Sequence, residues 1–475
     1  SMASALGEFI ERLQTNNFFS DFYLPSRKHY PDEKAFEFGG EFLNKELFDM
    51  YDLNGELSDE DLVDYNSDYK DRVVTLPFKR VSDGKRVYFP VNILANLYVS
   101  NGLATGNTPK EAQVQALSEI YERYAKLQII KNGYALPKFP DNIIKSHKKV
   151  YEDIEALRKR GFIVEVLDAS LGGAFPVTAI SLINPLNSSL FVSFGSHPVL
   201  EVSLERTMTE LMQGRDLDQL DAFEIPTFDM SLVADSFNLE SHFIDSNGKL
   251  GFSFLSSKKS FEFSPWKYKG DSFEDELNFL TAIAKEMNKE IYIREYDYIG
   301  FYSCQIVIPS ISEIYPMEDL IYNNKNSAKV IRDTVLNFKE YDAEDILQEV
   351  EMLENSLSVG KYIGVIFQND FSMMEFKAQL YLLSGDKDAA KELLEFSANK
   401  LGHVITELIT MSQEGYEFEE YKEGLYNIFS QESIERAIRI LKGEEFLIET
   451  AFHNDYLDIL ALYDRLEIKK RSISS

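Results

Sequence analysis

The stretch N-T-P-K-E-A-Q-V-Q-A-L-S-E-I-Y-E-R-Y-A-K-L-Q-I-I, Asn107 to Ile130, decides how the rest of the chain is read. Ala116, Leu117, Ile120, Tyr121 and Tyr124 recur at helical spacing, and the start carries the marks of a helix N-terminus. Thr108 can cap, because its hydroxyl accepts from a free backbone N–H; Pro109 fits the first helical position, and Glu111 completes a T-x-x-E capping box. Residues three and four apart on a helix share a face, so Glu111, Gln115, Glu119 and Glu122 form one polar stripe, with Arg123 at its end.

Part of this stripe is written twice. A-L-S-E-I-Y-E-R-Y at 116–124 repeats A-L-G-E-F-I-E-R-L at 5–13, which aligns Ser4, Glu8 and Glu11 on a second helix beside Arg12. A third helix over Glu201–Gln213, E-V-S-L-E-R-T-M-T-E-L-M-Q, stacks Arg206, Glu210 and Gln213 in the same way. Glutamate is a good helix former and polar stripes usually face water, so each stripe alone reads as a solvated face. Repetition favours a second reading. The apolar residues flanking Glu119 and Glu122 turn those acids toward an interior cleft, where packed like charges repel and divalent cations relieve the repulsion. Paired glutamate helices then make a magnesium cage, and the arginines at the stripe ends can grip phosphate.

Between the first two helices, S-N-G-L-A-T-G-N-T-P has glycines at 102 and 106 that allow close backbone approach, ahead of a helix N-terminus that attracts anions. No G-K-[ST] follows it, so it is not a Walker loop. His197 and His242 lie near turns and read as packed or solvent-exposed residues, and Cys304, in an apolar strand, as a small core residue.

The other elements give an α+β fold, with sheets covered by long glutamate-bearing helices. Residues 14–72 are aromatic and acidic, an irregular insertion with short helices; 161–170, 176–185 and 189–198 read as strands, as do 289–297 and 301–311. After about residue 330 the chain becomes nearly continuous helix. F-K-A-Q-L-Y-L-L-S-G-D-K-D-A-A-K-E-L-L-E-F-S-A-N-K-L, 376–401, is a helix, a turn and a second helix, similar to a single tetratricopeptide hairpin. The expected division is 1–325 for the α+β domain and 326–475 for an all-α domain.

Composition narrows the chemistry. The 79 acidic and 49 basic residues leave a net charge of -30, against broad binding to nucleic acid or anionic membranes and compatible with a basic partner. One cysteine excludes an internal disulfide and a thiolate-held iron–sulfur cluster, so any metal is expected on oxygen ligands, magnesium before zinc or iron. No apolar run is long enough for a membrane span and no signal peptide is evident, which makes the cytoplasm the expected location. Ser1 is not an initiator methionine and the first motif begins almost at once, so a preceding segment is expected to be missing.

S-x-x-x-E-x-x-E-R at 4–12, Gly-Asn-Thr leading to E-x-x-x-Q-x-x-x-E-x-x-E-R at 111–123, and E-R-x-x-x-E-x-x-Q-x-R at 205–215 together resemble the YcaO family over about residues 1–320. N-L-Y-V-S-N-G-L-A-T-G-N-T and S-L-G-G-A-F-P-V look like its Escherichia-type branch, which carries a helical C-terminal extension. The resemblance implies ATP and Mg2+ as cofactors, with Glu8, Glu11, Glu119, Glu122 and Glu210 on the metal. It places Asn107, Glu111, Arg123 and Arg206 around the nucleotide, and Ser4, Gln115 and Arg215 in the same shell. It further implies an accessory role in β-methylthiolation of ribosomal small-subunit protein number twelve, beside a separate radical-SAM methylthiotransferase, by ATP hydrolysis or amide activation. Relatives phosphorylate a peptide amide oxygen to form azolines, thioamides or amidines; azoline-forming members commonly end in a proline-rich tail, whereas this chain ends E-I-K-K-R-S-I-S-S. An ATP-dependent enzyme of the azoline or thioamide type, modifying an amide of another peptide or protein, is a second reading, a nucleotide-binding scaffold without turnover is a third, and a homodimer is left open.

Overall fold

The computed structural model describes residues 2–212, 223–244 and 246–471, with the backbone alone for residues 2–4 and 212. The Asn107–Ile130 stretch forms a helix over Pro109–Asn132, started by Thr108, whose side chain accepts from Glu111 N, and stopped by Gly133 in the left-handed conformation. The capping box is displaced by one residue: the Glu111 carboxylate accepts from Asn107 N at 2.9 Å.

This helix lies between two sheets. The larger contains β1 (Lys34–Glu37), β2 (Arg72–Arg80), β3 (Arg86–Pro90), β4 (Leu103–Gly106), β8 (Tyr292–Tyr296) and β9 (Tyr302–Val307), in the order β1-β2-β8-β9-β4 with β3 also paired to β2. The smaller is the antiparallel meander β5 (Ile163–Asp168), β6 (Val177–Asn184) and β7 (Ser189–Ser196). Ala104, Cys304 and Ile306 from one sheet, and Ala179, Val192 and Phe194 from the other, share a core with Leu117, Ile120 and Tyr121 of the helix. The apolar face of this helix is buried in that core, while its glutamate stripe, with Gln113, Lys126 and Gln128, stays partly exposed. Cys304 is 1% exposed, and burial pushes its thiol well up, as suits a packed and unreactive cysteine.

The third glutamate helix, Leu200–Met212, covers the smaller sheet through a seam of hydroxyls: Thr178 Oγ1 is 2.9 Å from Ser203 Oγ and 2.7 Å from Thr207 Oγ1. The first, Met2–Gln14, is fixed by Gln14, whose Nε2 donates to Tyr296 O, Phe301 O and Ser303 Oγ at 3.1, 3.0 and 2.8 Å. Helix Phe273–Glu286 also packs on the central helix, with Tyr121 Oη donating to Leu280 O at 2.9 Å.

Two expectations about the N-terminal half change. Residues 14–72 hold, besides a short helix at Lys45–Tyr51, the strand β1, paired to β2. The glycines of 100–109 serve the protein's own packing. Gly102, at φ +78°, lies so close to β9 that a Cβ would meet Ile306 O at 2.1 Å, and at Gly106 it would meet Ala112 N at 2.7 Å. These positions are glycine because strand and helix backbones occupy the space of a side chain.

By compactness the chain divides into one unit of residues 1–18, 32–62 and 73–323 and another of 19–31, 63–72 and 324–475. In the second, Asn66 Nδ2 donates to three carbonyls, those of Phe19, Ser20 and Phe22, and Arg332 lies over the rings of Tyr23 and Tyr65 at 4.4 and 4.6 Å. Its hairpin consists of helices Met373–Ser384 and Lys387–Leu394, the first opened by a full Ser372–Glu375 capping box and closed by Gly385 at φ +87°. Among the described residues, no helix is long and apolar enough to cross a membrane.

Candidate active site

All three glutamate helices belong to the first unit, and their stripes converge. Glu11, 9% exposed, stands within electrostatic range of Glu8, Glu119, Arg12 and Arg123. Desolvation, followed by repulsion from Glu119, pushes its carboxyl up to about 8. Glu122 is likewise raised to about 8, by desolvation and then by Glu210 and Glu119. The Glu210 carboxyl, at the exposed rim, is raised by desolvation, against the pull of Lys126 and with the added push of Glu119.

Arginines and one lysine hold these acids in place. Arg12 pairs with Glu8 at 3.2 Å and Glu11 at 3.6 Å; Arg123 pairs with Glu119 at 2.7 Å, rests on the Phe243 ring at 4.5 Å and donates to Asn101 Oδ1 at 3.3 Å. Arg206 donates to Ser196 O at 2.9 Å and to Gln115 Oε1, which fixes its guanidinium between the second and third helices. Ser196 serves both sides, since its N–H donates to Glu122 Oε2 at 3.1 Å. Lys126, one turn beyond Glu122, donates to Ser246 Oγ at 2.8 Å.

Glu8, Glu11, Glu119, Glu122, Glu210, Gln115, Arg123 and Arg206 thus form one cluster. Asn107 and Glu111 bond to each other at the exposed N-terminus of the same central helix, through Asn107 N and Nδ2. Of Ser4 only the backbone is described, and Gln213 and Arg215 lie outside the described residues. Among the described residues, no three His, Cys, Asp or Glu side chains stand together as a ready-made metal cluster, and Glu8 and Glu119 are drawn to their arginines. The donor set nonetheless fits a hard cation: it is carboxylate oxygen throughout, crowded enough that burial and mutual repulsion hold protons on it.

Sequence reasoning took no account of Asn101, Lys126, Ser196 and Glu276. Glu276, on the Phe273–Glu286 helix, is 7% exposed and faces His197 with 3.7 Å between Oε2 and Nε2. Burial, and then Arg206, lowers His197 to about 4, and burial raises Glu276. His242 is buried, with Nε2 3.1 Å from Lys249 O.

A family model described as YcaO cyclodehydratase, ATP- and Mg2+-binding, matches residues 1–312. The chain belongs to the YcaO family. Among YcaO relatives, it is 38% identical over 481 residues to the ribosomal protein S12 methylthiotransferase accessory factor YcaO of Escherichia coli, covering 94% of this chain and 82% of that one. An uncharacterised protein of Haemophilus influenzae is 39% identical over 431 residues, covering 86% and 73%. A solved YcaO from Methanopyrus kandleri, bound with AMPPCP and Mg2+, superposes with a TM-score of 0.34 at 16% identity, covering 51% of this chain and 65% of that one.

The raised carboxyls make metal and pH interdependent. Both Glu11 and Glu122 titrate near 8 in the folded chain, against an ordinary 4.5. Between those values the folded state holds protons that the unfolded state has released, so the metal-free protein loses stability as pH rises from about 4.5 to 8. Thermal melts are expected to show a midpoint falling across that range, and Mg2+ raising it by about 2 °C or more at pH 8.5 and much less at pH 6. A Mg2+ effect of the same size at both pH values would dissociate the metal from these carboxylates.

Proposed function

We propose that the chain acts on ATP with Mg2+ in the cytoplasm, assisting a radical-SAM methylthiotransferase in β-methylthiolation of ribosomal protein S12 by ATP hydrolysis or activation of an amide. The observation that carries this reading is the convergence of Glu11, Glu119, Glu122 and Glu210 from three helices, two of them protonated near neutrality, beside Arg123 and Arg206. The printed role of the Escherichia coli relative supports the ribosomal target.

In this reading Glu8, Glu11, Glu119, Glu122 and Glu210 hold magnesium, which would supply charge neutralisation for the triphosphate. Ser4, Asn107, Glu111, Gln115, Arg123, Arg206 and Arg215 surround the nucleotide. Arg206 needs little rearrangement to stabilise negative charge on a phosphoryl group, because Ser196 O and Gln115 already orient it. Arg123 is stiffened by Phe243 and Asn101. Residues 1–325 form the ATP-binding domain and 326–475 a tetratricopeptide-like helical domain for protein partners.

The test is nucleotide turnover by the full chain with the methylthiotransferase and S12, resolving AMP, ADP, pyrophosphate and phosphate. Turnover that Arg206→Ala removes, together with methylthiolation that depends on the chain, is the expected result. Tight ATP binding without turnover would leave a scaffold.

A further inference from the structure

Helix Phe418–Phe429, in the second unit, buries none of its residues, although F-E-E-Y-K-E-G-L-Y-N-I-F has apolar side chains at helical spacing. Phe418, Leu425, Tyr426 and Phe429 are half-buried, whereas Tyr421 and Ile428, two turns apart on one face, are 45% and 76% exposed. Tyr416, just before the helix, sets its ring edge-on to Tyr421 with centroids 5.4 Å apart.

Gly424 stands between Tyr421 and Ile428 on that face, three residues after the one and four before the other. Glycine inside a helix costs stability relative to alanine, and it is usually kept where something approaches the backbone closely. At Gly102 and Gly106 the chain itself makes that approach. At Gly424 an added Cβ would meet nothing within 4 Å, so no neighbour among the described residues requires the glycine. Two acids border the face: Glu417 lies four residues before Tyr421, and Glu420 four before Gly424. Both are exposed, and the adjacent Lys422 pairs with Glu419 instead, at 3.4 Å. Acids at a helix start suit its dipole, but that leaves the glycine and the open aromatic pair unexplained.

We propose that the face formed by Tyr416, Glu417, Glu420, Tyr421, Gly424 and Ile428 is a docking surface for an arginine-rich segment of a protein partner. A guanidinium stacks on an aromatic ring and forks onto a carboxylate, and this face offers both within one helical turn. Ile428 takes a neighbouring aliphatic side chain, and Gly424 lets the main chain of the segment lie against the helix. Lysine matches the charge but neither stacks nor forks as well. The net charge of -30 attracts any cationic peptide, so preference for arginine is what distinguishes this face. The surface rests on the reading of the helical domain as partner-binding and gives that partner a chemistry.

The full chain is titrated, at about 0.15 M salt, with a fluorescein-labelled peptide of alternating arginine and leucine and with its lysine counterpart, and anisotropy reads binding. The arginine peptide is expected to bind about fivefold or more tightly than the lysine one. Tyr421→Ala is expected to abolish that preference. Gly424→Ala is expected to slow amide hydrogen exchange across 418–429, because alanine favours the helix, and yet to weaken arginine-peptide binding about fivefold. Equal affinity for the two peptides in the unaltered chain, or an arginine preference that both substitutions leave intact, overturns the surface. So does self-association of the chain that Tyr421→Ala dissolves, which would give the face to a second copy. ATP turnover measured in parallel separates the readings: arginine preference without turnover sustains the surface and defeats the enzymatic reading, whereas turnover without the preference defeats the surface alone.

Discussion

Glu122→Gln is expected to weaken Mg2+-ATP binding about 100-fold while leaving the metal-free protein as stable as before, or more stable above pH 7. The carboxylate of Glu122 has a positional and an electrostatic part. Its position depends on Oε2 accepting from Ser196 N at 3.1 Å, and a glutamine of the same shape keeps an oxygen for that bond. Its charge is crowded by Glu210 and Glu119, and only a bound cation turns that crowding into an advantage. Removing the charge therefore costs the bound state and relieves the metal-free one. Calorimetric titration with Mg2+-ATP, run beside thermal melts without metal, reads both sides. A purely structural glutamate predicts that affinity and stability fall together; lowered melting with unchanged affinity would remove Glu122 from the site.

The cluster was largely legible because helical periodicity alone aligns it. Glu119 and Glu122 on one helix, Glu8 and Glu11 on another and Arg206 with Glu210 on a third follow from spacing, and the capping residues Thr108 and Pro109 fix where the central helix begins. The three strands of the smaller sheet were equally plain, as β-branched runs between turns. What escaped depends on contacts far apart in sequence. Ser196 acts through its main-chain N–H and C=O, which any residue possesses, so no residue type marks it. Lys126 extends the Glu122 stripe by one turn and was legible in principle, yet its bond to Ser246 reaches a different helix and loop. The Phe273–Glu286 helix had a signal, Ser272 as cap and Leu277, Leu280, Ile283 and Ala284 at helical spacing. Its importance comes from Glu276 arriving opposite His197, which no spacing rule gives. β1 is short and only partly buried, so it lacks the apolar alternation of a core strand.

Gly102→Ala is expected to cost about 3 kcal/mol or more of folding stability, the sum of a left-handed backbone and an overpacked core. Gly102 has φ +78°, and its Cβ position falls 2.1 Å from Ile306 O and 3.1 Å from Ile120 Cδ1. The Gly102 carbonyl also accepts from Ile306 N at 2.8 Å, so relief of the clash must lift β9 away from β4 and break that bond. Such a shift reaches the site through the neighbouring residue: Asn101 donates to Ser312 O at 2.7 Å and accepts from Arg123 at 3.3 Å. Two readings of the glycine loop therefore part company. A loop that cradles phosphate predicts lost nucleotide affinity in a chain of unchanged stability. A glycine required where strand, helix and sheet meet predicts a lowered denaturation midpoint first, even without nucleotide, and a weaker site as its consequence through Asn101 and Arg123. Denaturant unfolding of the metal-free and nucleotide-free chain decides between them, and an unaltered midpoint would return Gly102 to the phosphate-binding role that its sequence context first suggested.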